Sequence, residues 1–439
     1  MVVLKFGGSS LKSAERIINI SNIISKYLNK KPSIILSALG DTTDILESIA
    51  ENTDNHNNIN HLIDYHLQVS KGLGIEFDDQ KLFDQLKLKL ETIKNSNQYN
   101  LNDKAEILSF GERLSIRLIS QYLNSKGLNT EAFDAWEIGV ISNGQALESK
   151  VNFSQYPNIN KLITEKTNNF KSIPIISGFI AKNENNISLL GRGGSDLTAT
   201  IIGSALNAKE ILIFKDVNGI LSANPKVVTD SQTIDQISFN EASELAYAGA
   251  QVLHPFSIRP ARKYNIPIRI KNSYKQTHPG TLISKQSSDS SIKAVVAKEN
   301  ISIIDIPLTQ SIDIDELGFL SKVFSLFSEF NISVDMVSTS EASVSVTIKN
   351  NYKISKKLLQ RLNELGDVKF SLNMSLISLI GNMNSATWTI ENTANILNKN
   401  KIEIKMLSFG SSKSQIGFVI DQKHTNNCLN LIHKHLILK

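Results

Sequence analysis

Short apolar runs alternate with stretches of helical periodicity along the first part of the chain. The strand-length runs occupy residues 34–36, 173–176, 211–214 and 266–270, and the helical stretches include residues 197–206 and 241–251. Strands of a parallel sheet are covered on both faces, so their sequences are continuously apolar. The alternation of such strands with helices predicts a layered α/β domain with a mostly parallel sheet.

The N-terminal residues predict a strand, a glycine turn and a helix. Residues 2–6 are rich in β-prone side chains, and Gly7 and Gly8 interrupt them. Apolar residues then recur at helical spacing from Ile17 onwards, and Ser9 or Ser10 is placed to cap that helix. The sequence therefore places a helix N-terminus directly after a buried strand.

The pattern changes after a polar segment at residues 278–300. Residues 331–338 reappear in degenerate form as residues 401–408, with Met336 and Met406 at the same position of each copy. Each copy offers strands and helices in the split βαβ, ferredoxin-like order, which predicts two duplicated small domains. We expect a catalytic domain at residues 1–285, a linker at 286–298 and the small domains at 299–370 and 371–439.

Composition excludes several classes of function. A chain of 439 residues needs two or three cores. Its net charge of +5 is scattered along the chain, so we expect no nucleic-acid partner. There is no apolar stretch of the roughly 18 residues that a membrane span needs and no signal-peptide pattern, so we expect a cytoplasmic protein without membrane contact. Cys428 is the only cysteine, which favours a buried or incidental thiol.

The histidines do not indicate a metal site. Pairs such as His61 with His66, and His433 with His435, lack the cysteine or carboxylate neighbours that metal ligation requires. We therefore expect them to be solvated surface residues, and we expect no metal bound directly by a protein ligand cage.

The segment Lys5-Phe-Gly-Gly-Ser-Ser10 carries the features of a phosphate-binding turn. Glycines let backbone N–H groups approach an anion, a helix N-terminus favours negative charge, and a lysine lies beside both. The alternative is a tight strand-to-helix turn that happens to carry a lysine. The segment is not a Walker motif, because the Gly-Lys-Ser/Thr ending is missing.

A second glycine turn, Gly191-Arg-Gly-Gly-Ser-Asp196, precedes another predicted helix. Arg192 is suited to clamp a carboxylate in bidentate fashion, and Asp196 to orient a lysine or to take part in metal and phosphate organisation. A capping aspartate next to a surface arginine would explain Asp196 but not the three glycines. The functional interpretation is therefore favoured here.

Two further segments carry weaker signals. Glu112 lies in Phe110-Gly-Glu-Arg-Leu-Ser115, at the expected start of a helix, where a carboxylate is also simply favourable to the helix dipole. Residues 37–43, which end in Thr43, close the second strand with small and hydroxyl side chains. This composition fits a polar pocket at the carboxyl end of a parallel sheet, or equally a capped loop.

In order along the chain, these four segments resemble the motifs of the aspartate kinases within the amino acid kinase family. The resemblance continues through residues 214–219 and 248–255, and residues 318–324, 331–335 and 339–344 resemble the first ACT domain of single-function, lysine-inhibited aspartate kinases. It covers the whole chain. It implies a three-layer α/β/α kinase domain followed by two ferredoxin-like (βαββαβ) ACT domains.

The resemblance also implies an activity. Such an enzyme transfers the γ-phosphate of ATP, with Mg²⁺, to the side-chain carboxylate of L-aspartate, giving 4-phospho-L-aspartate for lysine, threonine and methionine biosynthesis. It implies feedback by an amino acid, most simply lysine, and a homodimer formed through the ACT domains. The alternatives are another amino acid kinase, for acetylglutamate or glutamate, and an ACT-based sensor with an impaired kinase half.

Residue roles follow from the same resemblance. Lys5 and Asp196 are the implied catalytic residues. The implied substrate-binding residues are Thr43, Glu112, Arg192, Gly193, Gly194 and Ser195. The implied nucleotide-binding residues are Lys5, Gly7, Gly8, Ser9, Lys215, Asp216, Leu221, Lys226 and Gln251. The implied effector-binding residues are Phe319, Leu320, Ser333, Val334, Asp335, Ser340 and Glu341.

The chain departs from the family on the nucleotide side. Gln251 replaces a phosphate-binding lysine, Lys215 replaces a threonine, and Leu221 replaces a tyrosine. Lys226 keeps a charge in place of an arginine but cannot form the same fork. Residues 311–317 carry three carboxylates where lysine-inhibited relatives are more neutral, so the resemblance does not fix the effector.

Overall fold

The computed structural model describes residues 1–51, 56–77, 79–96, 99–183, 185–250, 253–287, 292–307, 318–340, 343–350 and 354–438. They form two compact units. The first contains Met1–Ile220, Thr233–Phe239 and Val252–Gln286, and the second contains Leu221–Gln232, Asn240–Gln251 and Ser287–Lys439. Within the described ranges, no helix is both long and apolar enough to cross a membrane.

The first unit is built on a mostly parallel sheet. Its strands are β1 (Val2–Phe6), β2 (Pro32–Leu36), β3 (Thr130–Phe133), β4 (Ser142–Asn143), β5 (Lys150–Val151), β6 (Ile173–Ser177), β7 (Ile180–Lys182), β8 (Ile187–Leu189), β9 (Ile211–Lys215), β10 (Gln236–Ser238), β11 (Ile268–Asn272) and β12 (Thr281–Ser284). Eight of them form one sheet in the order β10-β12-β11-β9-β1-β2-β6-β3. Only the β11–β12 pair is antiparallel, and β4–β5 and β7–β8 form separate hairpins.

Helices connect these strands. They are α1 (Ala14–Ser25), α2 (Thr42–Glu51), α3 (His56–Leu73), α4 (Gln80–Ser96), α5 (Leu101–Ser125), α6 (Tyr156–Lys166), α7 (Gly194–Ala205), α8 (Phe239–Tyr247) and α9 (Pro255–Tyr264). Apart from its first residue, α8 belongs to the second unit. Every residue of β1 and β2 is buried, as the apolar runs predicted for strands covered on both faces.

The start of α1 differs from the prediction. Ser13 is the N-cap, and its side chain accepts a hydrogen bond from the backbone N–H of Arg16. Ser9 and Ser10 lie instead in a short 3-10 turn between β1 and α1. The helix α1 therefore begins about one turn later than the sequence pattern indicated. The pattern could not decide between the serines, because a serine is a favourable N-cap at position 9, 10 or 13.

The second unit contains a six-stranded antiparallel sheet. Its strands are β13 (Ile292–Pro307), β14 (Met336–Thr339), β15 (Ser343–Lys349), β16 (Lys369–Gly381), β17 (Met406–Phe409) and β18 (Gln415–Asp421), in the order β14-β15-β13-β16-β18-β17. Its further helices are α10 (Phe319–Glu329), α11 (Lys356–Asn363), α12 (Ala386–Lys399) and α13 (Thr425–Ile432). The predicted repeat is visible here, since Met336 and Met406 begin β14 and β17.

Two long strands run through both halves of this sheet. The start of β13, with Ile292 and Val295, packs in one core with Phe418 and Ile432. The rest of β13 contributes Ile304 and Ile306 to a second core, with α10 and α11. β13 therefore begins inside the segment 286–298 that was expected to be a linker, and the expected division between residues 370 and 371 falls within β16.

Two histidines correct the expectation of solvated surface positions. His66 is fully buried on α3, where its Nδ1 lies 2.8 Å from the carbonyl oxygen of Leu62, and burial lowers its pKa to about 4. His433 is also buried, and its Nε2 lies 2.8 Å from the hydroxyl of Ser222. Each ring replaces water contacts with a fixed hydrogen bond, which sequence spacing does not reveal.

Candidate active site

Two lysines converge on one buried aspartate at the carboxyl ends of β1 and β9. Lys5 pairs with Ile213 in the parallel register of these strands, so Lys215, two residues further along, faces the same side of the sheet. Asp196 lies in the first turn of α7. Its Oδ1 lies 2.6 Å from Nζ of Lys5, and its Oδ2 lies 3.3 Å from Nζ of Lys215.

The charges of this cluster do not balance. Burial would raise the pKa of Asp196, but Lys5 and Lys215 outweigh it and hold that pKa below its usual range. The carboxylate is therefore ionised and carries one negative charge against two positive ones. Two lysine ammonium groups at one place are suited to a phosphate group, because a buried anion needs nearby cations.

The glycine turn after β1 closes against the turn after β2. A Cβ atom on Gly8 would lie 2.9 Å from the carbonyl oxygen of Gly40 and 3.1 Å from that of Ala38, so no larger residue fits. The carbonyl oxygen of Ser9 accepts a hydrogen bond from the Arg16 guanidinium. The turn therefore holds its backbone close to the end of β1, beside Lys5.

Glu112 lies in the middle of α5, so its expected place at a helix start was wrong. Apolar periodicity begins well before it, and the helix is capped at Asn100. Burial raises the pKa of Glu112 to about 8, although backbone N–H groups of Ala38 and Glu112 itself donate to the carboxylate and Lys5 lies near enough to oppose the shift. Its Oε2 is buried and has no hydrogen-bond partner among the described residues.

Such a carboxylate is prepared for a cationic ligand. An unpartnered buried carboxylate oxygen is costly unless a donor reaches it. Gly111, the preceding residue, packs so tightly that a Cβ would lie 2.9 Å from Cβ of Ala38. α5 is thereby fixed against the loop that follows β2.

The second glycine turn needs its glycines for conformation and for space. Gly191 and Gly193 have φ of +74° and +72°, which other residues rarely adopt. Ser195 is buried and lies so near Gly178 that a Cβ there would be 2.6 Å from Cβ of Ser195. Arg192 is exposed between the two glycines.

Residues after β6 also shape the site, and sequence reasoning missed them. Phe179 has φ of +64°, which is unusual for an aromatic residue. Its backbone N–H donates to Oγ1 of Thr198 at 3.1 Å, and its ring would clash with any Cβ on Gly194. The Ser-Gly pair at the end of β6 was the available signal for a turn.

Thr43 lies in the first turn of α2 and is half-buried. Its neighbour Thr42 is fully buried, with its hydroxyl donating to the carbonyl oxygen of Leu39 at 2.6 Å. Thr43 is therefore the threonine of this pair with access to a ligand.

The other residues that the sequence predicted to bind the nucleotide lie after β9 in the first unit and in the second unit. Asp216 is exposed after β9, and the amide of Asn272 holds the following turn by donating to Oδ1 of Asn218 at 2.8 Å. Leu221 is half-buried and Lys226 exposed, both in the second unit. Gln251 lies outside the described residues.

The expected effector residues lie on α10 and next to β14. Phe319 is buried and Leu320 exposed, and Ser333, Val334 and Ser340 lie in or beside the turns that flank β14. Asp335 is already engaged, because Nζ of Lys298 lies 2.5 Å from its Oδ1. Glu341 and residues 311–317 lie outside the described residues.

Comparison with known proteins places this geometry in a family. The profile of the amino acid kinase family matches residues 1–272, and an ACT domain profile matches residues 377–436. Chloroplastic aspartokinase 2 of Arabidopsis thaliana is 36% identical over 454 residues, which span 98% of this chain and 83% of that protein. The lysine-sensitive aspartokinase 3 of Escherichia coli is 27% identical over 99% of both chains.

Solved structures agree in fold. The aspartate kinase of Clostridium acetobutylicum matches with a TM-score of 0.82 and 26% identity over 99% of both chains. Escherichia coli aspartokinase III in complex with aspartate and ADP matches with a TM-score of 0.83 and 24% identity over the whole of both chains. This chain therefore belongs to the amino acid kinase family and, within it, to the aspartokinases.

Proposed function

We propose that this protein transfers the γ-phosphoryl group of ATP to the side-chain carboxylate of L-aspartate. The observation that carries the proposal is the convergence of Lys5 and Lys215 on the buried carboxylate of Asp196 at the carboxyl ends of β1 and β9. An oxygen of the aspartate carboxylate forms a bond to the γ-phosphorus while the bond to the ADP oxygen breaks.

The chemistry requires little acid–base assistance. A carboxylate is ionised at neutral pH and needs no general base, so the enzyme must bring two anions together and stabilise the charge that spreads over the phosphoryl oxygens. Lys5 supplies charge and hydrogen-bond donors at the end of β1. Asp196 holds Lys5 and Lys215 in place and prevents them from repelling each other. Mg²⁺ bound with ATP would neutralise further phosphate charge.

Recognition of the amino acid falls to a second set of residues. Glu112 has a buried oxygen without a partner among the described residues, which suits the α-ammonium group. Arg192 provides a planar fork for the α-carboxylate. Thr43, Gly193, Gly194 and Ser195 complete the proposed substrate-binding set. Such a set distinguishes an amino acid from a plain dicarboxylate. A dicarboxylate has no α-ammonium group, so its binding would leave the buried Glu112 oxygen without a partner, at a cost in binding free energy.

On the nucleotide side, we assign Gly7, Gly8 and Ser9 to the phosphates, together with Lys215. We further assign Asp216, Leu221, Lys226 and Gln251 to the nucleotide from the resemblance of their segments to the family. The sequence departures there lead us to expect weaker ATP binding than in relatives with the usual residues.

We assign a regulatory role to the second unit, with a basic amino acid, most simply lysine, as effector, and a homodimer formed through the ACT domains. The name of the Escherichia coli relative, lysine-sensitive aspartokinase 3, supports the effector. A cytoplasmic location stays a prediction.

Hydroxylamine trapping of the acyl phosphate tests the activity. Purified protein with Mg-ATP should give a hydroxamate with aspartate and none with glutamate or acetylglutamate. Product only with the glutamate compounds would favour a different amino acid kinase. Amino acid binding without any trapped product would favour the sensor alternative.

A further inference from the structure

The loop that carries Arg192 is held from both sides by residues of distant segments. A Cβ on Gly191 would lie 3.4 Å from Cγ of Glu148, and the backbone of Glu148 is bridged to that of Leu190. On the other side, a Cβ on Gly193 would lie 2.6 Å from Cβ of His254. Glu148 and His254 therefore contact the two residues that flank Arg192.

The side chains of Glu148, Arg192 and His254 line one cavity of about 310 Å³ in the first unit. Its apolar wall includes Tyr156 and Phe256, and Arg259 adds a second guanidinium. A cavity with an apolar wall and a few convergent charged groups is the usual form of a small-ligand site. Arg192, Lys150 and Arg259 give this lining more basic than acidic side chains, which suits a ligand that carries a carboxylate.

His254 is rigidly placed. It is the N-cap of α9, and its carbonyl oxygen accepts hydrogen bonds from the backbone N–H of Ser257 at 2.9 Å and from the Ser257 hydroxyl at 2.6 Å. Its ring Nδ1 is buried without a hydrogen-bond partner among the described residues. Burial lowers the pKa of His254, and Arg192 and Arg259 lower it further while Glu148 opposes them. A neutral imidazole does not repel a guanidinium and retains a nitrogen that accepts a hydrogen bond.

We propose that Glu148 and His254 are positioning residues for Arg192, which restrict its loop so that the guanidinium meets the α-carboxylate of the amino acid substrate. Glu148 contributes a charge opposite to that of the Arg192 guanidinium, and His254 contributes a neutral ring in a fixed position. A loop that is already restricted loses less conformational entropy when its side chain binds a ligand. The inference rests on the proposed function and adds two residues to its substrate side.

The Michaelis constants of the full-length protein test the proposal. His254→Ala and Glu148→Gln should each raise KM for aspartate about tenfold and leave KM for ATP within about twofold. His254→Gln, which keeps an acceptor, should restore part of the loss. His61→Ala and Glu131→Gln, at exposed positions of α3 and β3, are the matched controls and should change neither constant.

A double-mutant cycle separates positioning from general stability. In an Arg192→Ala background, His254→Ala should cause no further loss of kcat/KM for aspartate, because the residue that it positions is absent. Equal losses in both backgrounds, or a parallel rise of KM for ATP, would overturn the inference. If the wild-type protein traps no acyl phosphate with aspartate, the proposed function fails first, and that outcome is distinct from an active enzyme that tolerates His254→Ala.

Discussion

The rings of Phe6 and Phe214 stack with their centroids 4.8 Å apart and their planes 14° from parallel. They are register partners on β1 and β9, and each is the neighbour in sequence of a lysine that contacts Asp196. The stack therefore fixes the two strand ends from which Lys5 and Lys215 extend.

Phe214→Ala should destabilise the protein by about 3–5 kcal/mol, as is usual for a buried phenylalanine. It should also lower kcat of the protein that remains folded, because Phe6, the neighbour of Lys5, loses its stacking partner at the end of β1. Urea unfolding and initial rates at low temperature measure the two effects. Phe327→Ala, at a buried position of α10, is the control. An equal loss of kcat there would contradict a local role for the stack.

Lys5 and Lys215 should not be equivalent. Lys5→Met should lower kcat by about 10²–10³-fold, because a fixed charge at the transferring phosphoryl group is lost. Lys215→Met should act mainly on KM for ATP. Initial rates over a range of ATP concentrations distinguish the two patterns, with exposed Lys209→Met as control. Full activity of Lys5→Met would refute the proposed mechanism.

Binding of aspartate at pH 7 should release about one proton from Glu112, because a carboxyl group with a pKa of about 8 must ionise to hold the α-ammonium. Calorimetric titrations in two buffers with different ionisation enthalpies measure the release. It should disappear above about pH 9, where the group is already ionised. Identical binding heats in both buffers at pH 7 would show that Glu112 is not the ammonium partner.

The same shift predicts how the unliganded protein responds to pH. The folded-state pKa of Glu112 lies above its unfolded value of 4.5, so its contribution to stability is complete below pH 4.5 and is lost as pH rises through about 8. Glu112→Gln should remove this loss. The melting temperature of the variant, compared with wild type from pH 5 to pH 9, should become relatively higher toward pH 9. A constant difference would exclude the buried neutral carboxyl group.

Lys298 is predicted to weaken the response to a basic effector. It forms an ion pair with Asp335, one of the residues expected to contact the effector and a carboxylate that suits an ammonium group. Lys298→Met should free Asp335 and tighten lysine binding several-fold, as measured by calorimetry. Lys405→Met breaks the comparable pair with Glu403 beside β17 and serves as control. Unchanged affinity in Lys298→Met would mean that Asp335 does not bind the effector.

Much of the fold was readable from sequence because its signals are local. The apolar runs of β2, β6 and β9 and the glycines before α7 lie within a few residues of the structure they specify. The repeat around Met336 and Met406 located the two edge strands of the second sheet. Glu112 was misplaced within α5, because a carboxylate that follows a glycine imitates a helix start.

The remainder depends on contacts between distant segments. Asn272 is hydrogen-bonded to Asn218, and His433 to Ser222. The residues of each pair are far apart in sequence, so no local pattern predicts these bonds. The left-handed backbone of Phe179 is likewise imposed by packing against Gly194 and Thr198. Sequence reasoning therefore singled out Lys5, Asp196 and Lys215, which the structure brings together, but not the contacts between distant segments that hold the neighbouring turns.

Because β13 and β16 each supply a strand to both ferredoxin-like halves, neither half can be moved to another protein as a complete domain. A fragment of residues 299–370 would lack the end of β16, and a fragment of residues 371–439 would lack the opening strand that Ile292 and Val295 provide. Chimeras that exchange regulatory modules between enzymes of this kind should therefore carry both halves together, along with Leu221–Gln232, whose Ala223 and Val228 pack in the same core.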